Sequence, residues 1–283
     1  MIKLQQRLLS LSRPHFWLYE LGTFFIGVVA AASSGTAFVS VWVLVYALYF
    51  LFPANLLIYG INDIYDYETD RLNPKKAGYE AVLPKTLHPT VLRAVFYTNA
   101  PFILLAMFLP QPATIALLVF VICATFYSAP PLRAKARPGY DSLFSAGHYV
   151  ATGVFGYFLV GGTASIWLPV GAGMAWAMAM HAYSAVPDIQ ADKEAKLATI
   201  ATVLGKQVTI WFCLVFYTIA AWIATLYIGP IAIGLFIPYL IMMILSLHSK
   251  EAQLLQLYTW FPWINALVGM SLFFTLLLQK PWL

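Results

Sequence analysis

The chain has 283 residues, of which 61% are hydrophobic and only 10% charged, with a formal net charge of +5. Soluble domains carry about 25% charged residues, so this composition excludes an ordinary soluble enzyme and points to an integral membrane protein. The mean hydropathy of +0.79 agrees. No long polar stretch divides the sequence, and one membrane domain over residues 1–283 is expected.

A helix needs about 17 to 25 apolar residues to cross a bilayer. Nine such stretches occur in chain order: 15–33, 39–61, 91–109, 112–128, 142–162, 166–186, 207–227, 231–247 and 259–279. Lys3, Arg7 and Arg13 before the first stretch, with Ala30-Ala31-Ala32 at its end, have the outline of a secretory signal. The apolar run is long for a signal core, and the charge pattern requires it as a retained span. Cys123 and Cys213 both fall inside apolar segments, where small packing residues are the expected reading.

The connections alternate in character. Those around residues 33–38, 110–111, 162–165 and 229–230 are short and uncharged. Arg71, Lys75, Lys76, Lys85 and Arg93 lie between the second and third spans; Arg133, Lys135 and Arg137 follow the fourth. Lys193, Lys196 and Lys206 follow the sixth, and Lys250 the eighth. With the three N-terminal cations, every Lys and Arg except Lys280 shares one face if nine spans start from a cytoplasmic N-terminus. The positive-inside rule makes that face cytoplasmic. Nothing in this pattern points to nucleic acid, and no protein partner is indicated.

The second span ends in acid: Asn62, Asp63, Asp66, Glu68 and Asp70. At about 3.6 residues per turn, Asn62, Asp66 and Asp70 recur on one helix face, with Asp63 on its flank. Asp188 and Asp192 repeat the four-residue spacing at the end of the sixth span. Oxygen donors grouped in this way suit a hard divalent cation such as Mg2+. One cluster alone is also what a solvated helix end looks like. Two, each closing an apolar segment in its own half of the chain, read as a paired metal site at the membrane surface.

These residues resemble the UbiA superfamily of intramembrane prenyltransferases. Asn62, Asp63, Asp66 and Asp70 match its NDxxDxxxD motif, and Asp188, Asp192, Thr199 and Gly205 match its second motif. The run from Tyr127 to Lys135, YSAPPLRAK, looks like the family's YSxPPLRxK loop; Ser12-Arg13-Pro14 with Trp17, and Asn73-Pro74-Lys75-Lys76, also fit. The match departs at Leu83-Pro84-Lys85, where many members have Arg-Pro, and at Ala198, where many have a basic residue. The longer runs around both acidic motifs are similar to the lycopene elongase branch. The resemblance implies an all-α fold, nine transmembrane helices around a central cavity, and a polar site at its cytoplasmic mouth.

It further implies an Mg2+-dependent enzyme of the bilayer that transfers a prenyl group from an allylic diphosphate, dimethylallyl diphosphate in that branch, to a lipophilic acceptor such as lycopene. Metal ions and fixed cations stabilise a leaving diphosphate. Asn62, Asp66 and Asp70 are expected to hold one ion, with Asp63 supporting, and Asp188 and Asp192 another. Arg71, Lys76, Arg133, Lys135 and Lys193 are candidate diphosphate partners; Tyr127 and Ser128 are placed to hydrogen-bond the diphosphate or steady a carbocation. Arg13 is a candidate for meeting a polar acceptor. Glu20, in the first span, is either the acceptor of the proton lost from the product or a structural partner. His148 and His181 read as packing groups. Alternative acceptors are a quinone-precursor aromatic acid or a glyceryl lipid. An ion transporter is the alternative class, disfavoured because the acids gather at one face with no acidic path to the other.

Overall fold

The computed structural model describes residues 2–70 and 82–283, with the side chains of all of these except Ile2, Lys3 and Glu251. Every regular element among them is helical. In chain order these are α1 (Ile2–Leu11), α2 (Trp17–Ala31), α3 (Val41–Leu51), α4 (Pro53–Tyr65), α5 (Tyr67–Asp70), α6 (His88–Ala106), α7 (Gln111–Ser128), α8 (Tyr140–Leu159), α9 (Trp167–Ser184), α10 (Ile189–Glu194), α11 (Ile200–Ile228), α12 (Ile231–His248) and α13 (Glu251–Leu278).

Each expected span falls on helix. Five stretches are long and apolar enough to cross a membrane: Val41–Tyr65, Gln111–Ser128, Ile200–Ile228, Ile231–His248 and Ala252–Leu278. The other four expected spans correspond to α2, α6, α8 and α9, which are shorter or carry more polar groups. The large apolar side chains left on the surface, among them Phe108, Trp167, Trp222 and Leu278, are those of a protein solvated by lipid rather than water.

The expected span 39–61 is two helices. The chain breaks at Phe52 because Pro53 has no N–H to continue the ladder. The freed carbonyls are satisfied locally: Asn55 Nδ2 donates to Phe50 O at 2.8 Å and to Leu51 O at 3.1 Å. A backbone carbonyl left bare in hydrocarbon would cost several kcal/mol, roughly the cost of a lost hydrogen bond there. The seventh expected span begins earlier than its apolar run, at Ile200, and bends where Gly205 adopts a φ of 73°.

The chain forms two compact units: Met1–Arg133 with Ala151–Thr163 and Trp282, and Ala134–Val150 with Ala164–Pro281 and Leu283. The first unit is centred on aromatic rings. Phe24, Tyr46, Tyr49, Phe50, Phe120 and Phe155 are all fully buried. Ring centroids lie 4.5 Å apart for Tyr46 and Phe155 and 5.2 Å for Phe24 and Phe50, within the range of favourable aromatic pairs. In the same unit α2 crosses the second half of α8 in backbone contact. A Cβ added at Gly27 would stand 1.8 Å from Gly153 O, so only glycine fits.

The second unit is held by polar contacts between its helices. Trp176 Nε1 donates to Tyr239 Oη, which donates to Asn265 Oδ1, each at 2.9 Å, and the Tyr217 and Tyr239 rings stack at 4.3 Å. Tyr183 Oη and Ser246 Oγ are 2.8 Å apart. With lipid as apolar as leucine, packing shape and such hydrogen bonds hold helices together.

Candidate active site

The first acidic cluster sits where α4 and α5 meet. Asp66 closes α4, and the helical register runs on through it: Asp66 N donates to Asn62 O and Asp70 N to Asp66 O, both at 2.8 Å. Those two bonds place Asn62, Asp66 and Asp70 on one face. Asp66, in the middle of the face, is 1% exposed, whereas Asn62 and Asp70 on either side of it are half-buried.

The end of α7 meets this face. Ser128, also buried, accepts from Asn62 Nδ2 at 3.0 Å and donates to Asp66 Oδ2 at 3.3 Å. Tyr127, one residue earlier, is partly buried. Arg133 brings its guanidinium to 4.0 Å from Asp66 Oδ1 while remaining partly exposed.

On the flank, Arg13 Nη2 donates to Asp63 Oδ1 at 2.9 Å and lies 4.5 Å above the Tyr59 ring. Tyr59 precedes Asp63 by one helical turn, so the ring and the carboxylate form one seat for the guanidinium. Arg13 and Arg133 have φ of 51° and 42°, left-handed values that few non-glycine residues adopt. Each such residue costs about 1–3 kcal/mol and persists only where its surroundings hold it. Here both strained cations face carboxylates of the same motif. The exposed Glu68 points off the face, to Lys85 at 2.6 Å.

In the second unit, Asp188 immediately precedes α10, with no side-chain capping bond, and Asp192 follows one turn later, both half-buried. Lys193 is exposed; Lys135, in the turn Ala134–Ala136, is half-buried. Glu194 accepts from Gln190 Nε2 at 2.7 Å, away from the Asp188–Asp192 face. Thr199 caps α11 with Thr202 in a reciprocal pair of bonds. Arg71, Lys76 and the Asn73-Pro74-Lys75 run lie outside the described residues.

The model of the UbiA prenyltransferase family matches residues 21–259, from the middle of α2 into α13 and across both acidic clusters. The chain belongs to the UbiA prenyltransferase family. It is therefore a membrane prenyltransferase. Among curated UbiA relatives it is 38% identical to a lycopene elongase/hydratase of Haloarcula japonica, over 93% of this chain and 88% of that one. It is likewise 38% identical to a lycopene elongase/hydratase of Halobacterium salinarum, over 93% and 94%. Its fold is that of a UbiA homolog from Archaeoglobus fulgidus bound to GPP and Mg2+, with a TM-score of 0.71, 20% identity, and coverage of 94% and 99%.

The donor chemistry of this UbiA chain fits Mg2+. Among the described residues no three His, Cys, Asp or Glu side chains converge into a closed cage. Mg2+ does not ask for one. It takes one or two carboxylates and fills its remaining positions with water and phosphate oxygens. The pairs Asp66–Asp70 and Asp188–Asp192 would offer that number of carboxylates, and Asn62 an amide oxygen.

Two residues that matter were not visible as such in the sequence. Tyr59 carried a faint signal, its four-residue spacing from Asp63. Asp141 carried none. Fully buried, it accepts from Gly139 N and Ser142 N at 2.8 Å and from Ile200 N at 2.7 Å, so it binds the first turn of α11 behind Thr199. His181 Nε2 is 4.0 Å from Asp141 Oδ2, the oxygen that accepts from Ile200 N. His148 is buried in α8 and Glu20 in α2.

Proposed function

We propose that this protein elongates a carotenoid: it transfers a dimethylallyl group from dimethylallyl diphosphate to a terminal alkene of lycopene or a related polyene, with Mg2+. The observation that carries the acceptor assignment is the 38% identity, over 93% of the chain, to proteins named lycopene elongase/hydratase. The whole chain acts as one membrane domain with nine spans, its N-terminus and both acidic clusters on the cytoplasmic side. The distribution of Lys and Arg supports that orientation.

In the reaction the allylic C–O bond breaks, the acceptor alkene supplies the electron pair for the new C–C bond, and the resulting cation loses a proton or takes water. Bound Mg2+ neutralises charge developing on the leaving diphosphate. Asn62, Asp66 and Asp70 hold one ion, and Asp188 and Asp192 another. Arg133, Lys135 and Lys193, with Arg71 and Lys76, serve the diphosphate. Tyr127 offers its ring face to positive charge, and Glu20 is the candidate for the departing proton.

An apolar acceptor suits what surrounds it. Residues 140–186 contain no Lys or Arg, so an acceptor carboxylate brought there would be buried without a cation. Arg13, a candidate to meet a polar acceptor, is already seated on Asp63 and Tyr59. Deleting the gene tests the reading: the mass of the cell's carotenoids should fall by one or two isoprenoid units. A change in the quinone or lipid pool with unaltered carotenoids would contradict it.

A further inference from the structure

Ser128 lies in a motif whose polar side chains are natural diphosphate partners, yet its surroundings give it other work. It is 1% exposed, and its hydroxyl meets two side chains of the acidic face. A hydroxyl has one hydrogen. Asp66 as a carboxylate can only accept, so the hydrogen goes to Asp66 Oδ2. Ser128 Oγ must then accept from Asn62, and only the NH2 half of that amide can donate. Asn62 is therefore held with Nδ2 turned inward to Ser128 and Oδ1 turned the other way. Reversing the amide would set its oxygen against the lone pairs of Ser128.

We propose that Ser128 is a positioning residue for the metal site rather than a contact of the diphosphate. It fixes which end of the Asn62 amide faces outward, and so presents an oxygen, the atom a hard cation takes, while steadying Asp66 beside it. This rests on the reading that Asn62 and Asp66 hold Mg2+. Without the hydroxyl, Asn62 turns freely and offers NH2 for part of the time.

The test compares Ser128→Thr, Ser128→Cys and Ser128→Ala in the full-length protein in lipid. Mn2+ binding is read by electron paramagnetic resonance with inorganic pyrophosphate present and no turnover. Thermal melting identifies the folded members of the series. The expected order of affinity is that Thr matches the unaltered protein, Cys is weaker and Ala weakest. The loss in Ser128→Ala should be about tenfold or more, as for other groups that orient metal ligands. At saturating Mg2+ the KM for dimethylallyl diphosphate should stay within about twofold. Equal Mn2+ affinity across the folded members would overturn the inference. So would a KM that rises at saturating metal with binding unchanged, since that is the signature of a diphosphate contact. If the unaltered protein binds no Mn2+ with pyrophosphate, the metal reading falls and the inference with it, an outcome distinct from the other two.

Discussion

Arg13 and Asp63 are 50 residues apart in the chain, and their side chains meet at 2.9 Å with both largely buried. The pair ties the entry of α2 to the acidic end of α4. Removing one partner from such a pair leaves a buried charge, typically at a cost of about 3–5 kcal/mol. Arg13→Ala should therefore lower the melting midpoint in lipid and reduce turnover together. Arg13→Lys should recover only part of each, because an ammonium cannot reproduce the planar guanidinium over the Tyr59 ring. An Arg13→Ala protein with unchanged melting and activity would show that the pair is incidental.

The second prediction concerns the acids. Asp66→Asn and Asp188→Asn should each nearly abolish turnover and leave helicity and melting close to native, because each removes one carboxylate charge and keeps the side-chain shape. Chelation should do the same to the unaltered protein, and added Mg2+ should restore it. Full activity of either variant at saturating Mg2+ would eliminate the cluster concerned.

The helical, membrane-spanning character was legible because hydropathy reports burial in lipid directly: each expected span lies on helix, and five of them are long and apolar enough to cross a membrane. Their internal breaks were less so. Pro53 stood in plain view within an apolar run, but whether a proline bends or ends a helix depends on who takes the freed carbonyls. Here that is Asn55. The acidic face was legible because its spacing and its geometry are the same fact, a four-residue repeat. The meeting of Arg13 with Asp63, or of Ser128 with Asn62, is not local, and no periodicity encodes it. Asp141 was the least legible of all, since its three partners are backbone N–H groups and one of them is 59 residues away.

That last residue gives a third prediction. Asp141→Ala strips the acceptor from two buried N–H groups, of Ser142 and Ile200, and from the part-buried one of Gly139, and each buried unsatisfied donor costs about 1–3 kcal/mol. The melting midpoint should drop well below that of Asp141→Asn, which keeps one acceptor oxygen. Equal melting of Asp141→Ala and the unaltered protein would mean that α11 does not need this anchor.

Topology is tested by single cysteines in a protein lacking Cys123 and Cys213. Gly139 and Gly229 are poor positions, since both have positive φ. Thr86 and Thr36 are exposed and close to cysteine in size. A cysteine at Thr86 should react only with reagents that reach the cytoplasm, and one at Thr36 only from outside. Labelling of both from the same side would break the nine-span orientation.

The most direct measurement is reconstitution. Purified protein in lipid is given Mg2+, dimethylallyl diphosphate and lycopene, and the products are weighed by mass spectrometry. The expected result is a heavier carotenoid carrying one or two added isoprenoid units, with 4-hydroxybenzoate left unchanged in a parallel reaction. Prenylated 4-hydroxybenzoate with lycopene untouched would contradict the carotenoid assignment.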